Sequence, residues 1–171
     1  KDWDLEDIYI QLESIAAQMN NLFSTYEDEI LGDVSVHPLK GTMSFGSGKM
    51  GWAFTLPSYA KMLAKKMGAD PQKVLRRLWG NKFYDPETKK FNSTGVSKSG
   101  KPLQRYFVKM VLKPIQNVYK WAEANETEKL LKFCDNWGIK LKQFEKEFRG
   151  SKLAKAILME WLPAGENIGS T

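Results

Sequence analysis

The stretch "MSFGSGKMGWAF", residues 43–54, places three glycines and a Gly-Lys pair at the end of a run that alternates apolar and polar residues. A phosphate-binding P-loop has the pattern Gly-x-x-x-x-Gly-Lys-Ser/Thr, in which backbone amides wrap the phosphates and the last hydroxyl holds Mg²⁺. In this chain Met43 stands at the position of the first glycine, and Met50 stands at the final Ser/Thr position. Because both ends of the pattern fail, the stretch predicts no phosphate cradle. It predicts a short strand and a glycine turn that leads into a helix.

Helix start and stop signals follow this stretch. Pro57 fits the first turn of a helix that ends at Gly68. Asp70 is a suitable N-cap, and Pro71 behind it begins a second helix that reaches Gly80. Farther along, "KFYDPETKKF" predicts a hairpin because aromatic residues flank an Asp-Pro turn.

The residues before the stretch predict a helix and a further strand. The helix is indicated by apolar residues that recur at three- and four-residue steps, namely Leu5, Ile8, Leu12, Ile15, Met19 and Leu22. Alternation at 34–36 and again at 43–45 indicates two short strands, joined by the turn "HPLKG". His37 then lies at a strand end, where a structural role is expected.

The second half of the chain is predicted to contain one strand and several helices. Composition favours a strand over 106–112, and Pro114 bars a continuous helix, so a new helix is expected to begin there. Asn125 is expected to cap the next helix, which ends at Gly138. A last helix is predicted over residues 152–161. Strands mixed with helices predict an α/β or α+β fold.

Length and composition limit the number of domains and the cellular compartment expected for the chain. With 171 residues, of which 42% are hydrophobic, the chain suits one domain or one domain with a small subdomain. Cys134 is the single cysteine, which excludes an internal disulfide and makes the reducing cytoplasm the expected compartment. No apolar run approaches the roughly 20 residues of a membrane span, so no membrane partner is expected.

The net charge of +6 is unevenly distributed. Acids dominate up to Asp33, whereas 14 lysines and arginines lie between Lys61 and Lys113 against three acids. Two interpretations remain open from charge alone. This basic stretch is either a solvated face or an electrostatic surface for nucleic acid or an acidic protein.

The residues predict no catalytic centre of their own. There is no His/Cys cluster at metal-ligand spacing and no Gly-x-Ser-x-Gly nucleophile elbow. Cys134 is expected to be a buried apolar residue. The prediction is that no catalytic residue and no metal ligand is present, which indicates a binding or scaffold unit.

Five blocks nonetheless occur in a distinctive order. They are "STYEDE", "VSVHPLKGTMSFGSGKMGWAFTLPSYAKMLAKKMG", "RLWGNKFYDPETKKF", "GKPLQRYFVKMVLKPI" and "AILMEWLPA". Together they resemble the central part of translation elongation factor 2, the archaeal and eukaryotic ribosomal translocase, from Trp3 to Ala164. The family's usual Gly-Ser-Gly-Leu-His-Gly-Trp-Ala-Phe-Thr differs here, because Lys49 and Met50 replace the Leu-His pair.

The resemblance implies a division of the chain and a site. Residues 1–54 would be the last part of a P-loop GTPase domain, 55–150 an inserted α/β subdomain called G-prime, and 151–171 the return helix. Ser47, Gly48 and Lys49 would occupy the fifth GTPase signature, which closes over the guanine base of GTP or GDP. The Gly48 amide would donate to the guanine oxygen, Ser47 would shape the turn, and the Lys49 stem would lie beside the base. The alternative is a glycine turn that only connects a strand to a helix.

The resemblance also implies partners and a missing remainder. In the family the G-prime region lies near the ribosomal stalk base, so acidic stalk proteins or rRNA phosphates would suit the basic stretch. The P-loop, switch regions, Mg²⁺ ligands and Asn-Lys-x-Asp motif precede this segment in the family. The chain is therefore expected to be a monomeric fragment that does not hydrolyse GTP and binds GTP or GDP weakly or not at all. Two alternatives are a GTPase-like spliceosomal component and a free-standing basic nucleic-acid-binding module.

Overall fold

The computed structural model describes residues 4–24 and 37–164. Within these ranges the fold is mixed α+β, as predicted, with six α-helices and two antiparallel two-stranded sheets. The helices are α1 (Leu5–Ser24), α2 (Leu56–Met67), α3 (Pro71–Arg77), α4 (Lys113–Glu123), α5 (Thr127–Trp137) and α6 (Gly150–Trp161), and the strands are β1 (Ser44–Ser47), β2 (Trp52–Thr55), β3 (Phe83–Asp85) and β4 (Lys90–Asn92). The strand predicted at 34–36 falls outside the described residues. None of the described helices is both long and apolar enough to cross a bilayer.

The glycine-rich stretch closes a β-hairpin. β1 pairs antiparallel with β2, with Ser47 opposite Trp52 beside the loop and Ser44 opposite Thr55 at the far end. The prediction of a turn that leads from a strand directly into a helix is therefore wrong, because β2 intervenes. α2 begins at Leu56, immediately after β2.

The proline and glycine signals predicted for α2 and the Asp70 cap predicted for α3 are confirmed. Thr55 and Ser58 form a reciprocal capping box at the start of α2, which has a proline in its first turn and ends at Gly68 with a left-handed φ of 68°. The Asp70 side chain accepts the Gln72 N–H at the start of α3. α3 ends at Arg77, three residues before the predicted Gly80.

The hairpin predicted around the Asp-Pro turn is also confirmed. Tyr84 of β3 lies opposite Phe91 of β4, and the turn is closed by a 2.8 Å hydrogen bond from the Lys89 N–H to the Asp85 carbonyl. The Asp85 side chain is buried and accepts the Lys98 N–H at 3.0 Å. This carboxylate therefore ties the following loop to the hairpin.

The segment 106–112 is helical, so the strand predicted there is wrong. It includes a π-helix, Val108–Leu112, that runs without a break into α4. Pro114 lies in the first turn of α4 and has no N–H to donate to the carbonyl of Met110, four residues earlier. The Tyr59 hydroxyl donates to that carbonyl instead, at 2.7 Å. The helix changes to π-helical pairing just before the proline, since the Lys113 N–H donates to the Val108 carbonyl five residues earlier, and α2 contributes a donor to the Met110 carbonyl.

Asn125 ends α4 and does not cap α5. Its φ of 55° is left-handed, a conformation that asparagine adopts more readily than most residues. α5 begins at Thr127 with Glu126 as its N-cap, and it ends at Gly138 as predicted. The predicted last helix is present as α6.

One hydrophobic core joins the described elements. It contains buried side chains from all three predicted segments, including Tyr9 and Phe54, Phe107, and Ile157. The domain boundaries at residues 54 and 150 stay a prediction. Aromatic rings fill much of this core: Trp79 meets Phe107 edge-on, with 5.2 Å between ring centroids. Phe54 is buried in this core, and Trp79 packs against it.

Candidate functional site

The loop between β1 and β2 is organised by Ser47. The Ser47 hydroxyl accepts the Met50 N–H at 3.2 Å, and the Ser47 carbonyl accepts the Gly51 N–H at 2.8 Å. Ser47 is half-buried, whereas Gly48 and Lys49 are exposed at the tip. The structure therefore places two of the predicted site residues at an accessible tip and the third beneath them as a support.

Packing and backbone geometry explain two of the three glycines in this stretch. A Cβ at Gly46 would press against the Trp52 carbonyl and lie 2.7 Å from the Ala53 Cβ, so only glycine fits there. Gly51 has a left-handed φ of 73°, which glycine adopts without steric cost. Gly48 has no such φ, and a Cβ added to it would meet nothing within 4 Å. Neither observation requires glycine at position 48.

The backbone of Gly48 is available to a ligand. Its N–H donates to no acceptor in the part of the chain that the structure describes, and the residue is exposed. A glycine allows a flat group to approach the backbone closely, since no side chain stands in the way. The loop tip can therefore present an amide donor to a bound acceptor without rearranging.

The base of the loop is fixed to two helices. Trp52 donates from its indole Nε1 to the Tyr119 hydroxyl of α4 at 2.9 Å. The Ala53 N–H donates to the Leu162 carbonyl, just after α6, at 3.2 Å. Burial raises the pKa of Tyr119, an effect that the Trp52 hydrogen bond partly offsets. These contacts hold the tip on a rigid support, which favours a preorganised contact with a ligand.

The other candidate residues have structural environments. His37 is exposed, and its Nδ1 accepts the Leu39 N–H at 3.2 Å, which caps the 3-10 turn Pro38–Lys40. Cys134 is buried as expected, and burial raises the pKa of its thiol to about 11. Among the described residues no group of three or more His, Cys, Asp or Glu side chains could hold a metal ion.

Arg105, one of the cations of the basic stretch, is buried. Its guanidinium contacts the Glu6 carboxylate through Nη2 at 2.8 Å and Nε at 3.0 Å. It also donates to the Asn81 side chain and the Gly80 carbonyl, and it lies 4.0 Å from the centre of the Tyr9 ring. Sequence reasoning missed this cluster, because Glu6 is 99 residues away from Arg105 and no local pattern connects the two.

Six other cations of the basic stretch gather along one groove. They are Lys73, Arg76, Arg77, Lys82, Lys89 and Lys90. The helical spacing of the first three could have shown that they share a face, but their approach to the hairpin is a tertiary feature.

No family model matches this chain. Two features of the structure therefore call for a functional explanation: the exposed amide of Gly48 and this basic groove.

Proposed function

We propose that this chain is a segment of a translational GTPase of the elongation factor 2 class, whose loop Ser47, Gly48 and Lys49 contacts the guanine base of GTP or GDP. The proposal is supported by the five ordered sequence blocks. The observation that carries it is Gly48, an exposed glycine whose N–H has no acceptor among the described residues and whose identity neither packing nor backbone geometry explains. Recognition of a flat base by that amide accounts for both features.

The chemistry of the loop suits a guanine. The Gly48 N–H would donate to the guanine O6, whereas adenine carries an amino donor at the equivalent position and would leave the amide unpaired. An unpaired polar contact of this kind discriminates strongly between otherwise similar ligands. Ser47 would set the orientation of the amide through its bond to the Met50 N–H, and Lys49 would lay its alkyl stem beside the base.

GTP hydrolysis would be carried out by the full-length parent protein. Phosphoryl transfer needs a phosphate cradle, a metal ion and a positioned water, and the residues of this chain supply no P-loop pattern. We infer that the parent acts as a cytoplasmic ribosomal translocase, with residues 55–150 directed at the stalk base, its acidic proteins or rRNA. The chain alone is expected to show negligible GTP turnover.

The experiment is nucleotide binding by the full-length parent with one residue changed in the loop. Gly48→Val should weaken GDP binding about tenfold or more by blocking the approach of the base, while open space around position 48 leaves the fold unaffected. Ser47→Ala is the matched control and should have a mild effect, since an amide and not the hydroxyl contacts the base. Unchanged GDP affinity in Gly48→Val would refute the assignment.

A further inference from the structure

A basic groove lies between α3 and the β3–β4 hairpin. Its volume is about 500 Å³. The groove is lined by six cations and two aromatic residues, namely Lys73, Arg76, Arg77, Lys82, Lys89, Lys90, Tyr84 and Phe91. No acidic side chain is part of this lining.

Helical spacing and the hairpin turn bring these cations together from two sides. On α3, Lys73, Arg76 and Arg77 are three and four residues apart and share one helix face, while Val74 is buried beneath them. On the hairpin, Lys89 and Lys90 lie where the turn meets β4. The groove therefore has a positively charged wall on each side.

The positive charge of the groove is not neutralised by ion pairs. Within residues 4–24 and 37–164, none of the six cations forms a salt bridge. The nearby acids of the hairpin have other partners: Asp85 accepts the Lys98 N–H, and Glu87 accepts the Ser99 N–H, each at 3.0 Å. These carboxylates hold the loop after β4, and neither forms a salt bridge with a groove cation within the described ranges.

One arginine is held in place on the floor of the groove. The Arg77 guanidinium lies 4.4 Å from the centre of the Phe91 ring, and Phe91 packs edge-on against Tyr106 with 5.0 Å between centroids. A guanidinium fixed on a ring keeps its N–H donors for phosphate oxygens, and its outer face can stack on a base. Tyr84 adds a half-buried ring to the same floor.

We propose that this groove binds the phosphate backbone of single-stranded RNA. The lining combines six cations with two aromatic rings, and a strand of nucleic acid can use both, its phosphates on the cations and its bases on the rings. Paired cationic walls and stacking groups are the means by which proteins hold a nucleic-acid strand without reading its sequence. The inference rests on the proposal that residues 55–150 face rRNA, and it names the groove that would make this contact; the groove does not involve the Ser47–Gly48–Lys49 loop.

The test is fluorescence anisotropy of this chain with a labelled single-stranded RNA of about 20 nucleotides at about 50 and 200 mM salt. The first variant combines Lys73→Glu with Arg76→Glu, both exposed on α3, and the second combines Lys89→Glu with Lys90→Glu on the hairpin. The control combines Lys132→Glu with Lys155→Glu, exposed cations on α5 and α6, and has the same net charge as the two variants. Circular dichroism verifies that all three fold.

We expect each groove variant to weaken RNA binding about tenfold or more and to reduce its salt dependence, while the control stays within about twofold of the unaltered chain. Equal weakening in the control and the groove variants would overturn the proposal, as would absent binding at low salt. Poly-glutamate of the same length serves as the protein-like probe. Tighter binding of poly-glutamate than of RNA, lost in both groove variants, would assign the groove to an acidic protein instead.

Discussion

The hydroxyl of Tyr59 on α2 donates a 2.7 Å hydrogen bond to the carbonyl of Met110 in the π-helix before α4. Pro114, four residues after Met110, lacks the N–H that would pair with this carbonyl in a regular α-helix. The contact gives the Met110 carbonyl a side-chain donor just before the proline and joins two helices of the core. Tyr59 itself is fully buried, so this bond is shielded from water.

Removal of this hydroxyl should destabilise the protein without changing its packing. Tyr59→Phe leaves the Met110 carbonyl without its donor, and we expect a loss of about 1–3 kcal/mol in the free energy of unfolding. Urea titration followed by tryptophan fluorescence measures the change. Tyr119→Phe is the control: its hydroxyl is half-exposed and should cost less. A Tyr59→Phe protein as stable as the unaltered chain would show that the carbonyl finds another partner.

The buried Arg105 cluster should contribute more to the free energy of unfolding than an exposed ion pair does. Arg105→Ala removes the partner of Glu6 and leaves the Gly80 carbonyl without its donor, so we expect a loss of about 2 kcal/mol or more. The comparison is Lys129→Ala, which breaks an exposed contact of 3.8 Å to Glu126 and should cost less than about 0.5 kcal/mol. Thermal unfolding of both variants measures the difference. Equal costs would contradict the structural role given to Arg105.

The glycines of the hairpin should respond differently to the same substitution. Gly46→Ala places a methyl group against the Trp52 carbonyl, and we expect a loss of about 1–3 kcal/mol in stability. Gly48→Ala extends into open space and should change stability by less than about 0.5 kcal/mol. Chemical denaturation of the two variants tests this contrast. A large loss of stability in Gly48→Ala would remove the argument that position 48 is free of folding constraints.

Stability should fall in alkaline solution. Burial raises the pKa of Tyr59 well above its usual value of 10.0 and that of Cys134 from 9.0 to about 11. Above pH 9 the unfolded chain therefore binds fewer protons than the folded chain, and the stability present below pH 9 is lost as the pH rises through 11. Urea midpoints at about pH 8 and pH 10.5 measure this loss. Tyr59→Phe should show a smaller decrease, and an equal decrease would contradict a contribution from Tyr59.

Local signals in the sequence were sufficient for several elements. The place of Pro57 in the first turn of α2, the end of α2 at Gly68 and the Asp70 cap of α3 depend on residues within a few positions of each other, and the structure confirms them. The β3–β4 hairpin follows in the same way from its Asp-Pro turn. Capping and turn chemistry act over short distances, so one sequence can reveal them.

One error arose where distant contacts decide the structure. Aromatic and β-branched residues at 106–112 favoured a strand, yet Phe107 and Val111 are buried in a helix that the Tyr59 hydrogen bond supports just before the proline. Strand β2 was missed for a different reason: only four residues separate it from its partner β1, but the glycine-rich loop was interpreted as a turn into the following helix. The three site residues were predicted from their resemblance to a family, and the environment of Gly48 comes from the structure alone.

The most direct test of the central claim compares GDP with 6-thioguanosine diphosphate, in which sulfur, a weaker acceptor, replaces the O6 that Gly48 is proposed to contact. Binding of both nucleotides is measured for the full-length parent and for its Gly48→Val variant. We predict that the unaltered parent prefers GDP by about tenfold, the value of one hydrogen bond, and that the preference falls towards one in the variant. An identical preference in both proteins would contradict recognition of the guanine oxygen by the Gly48 amide.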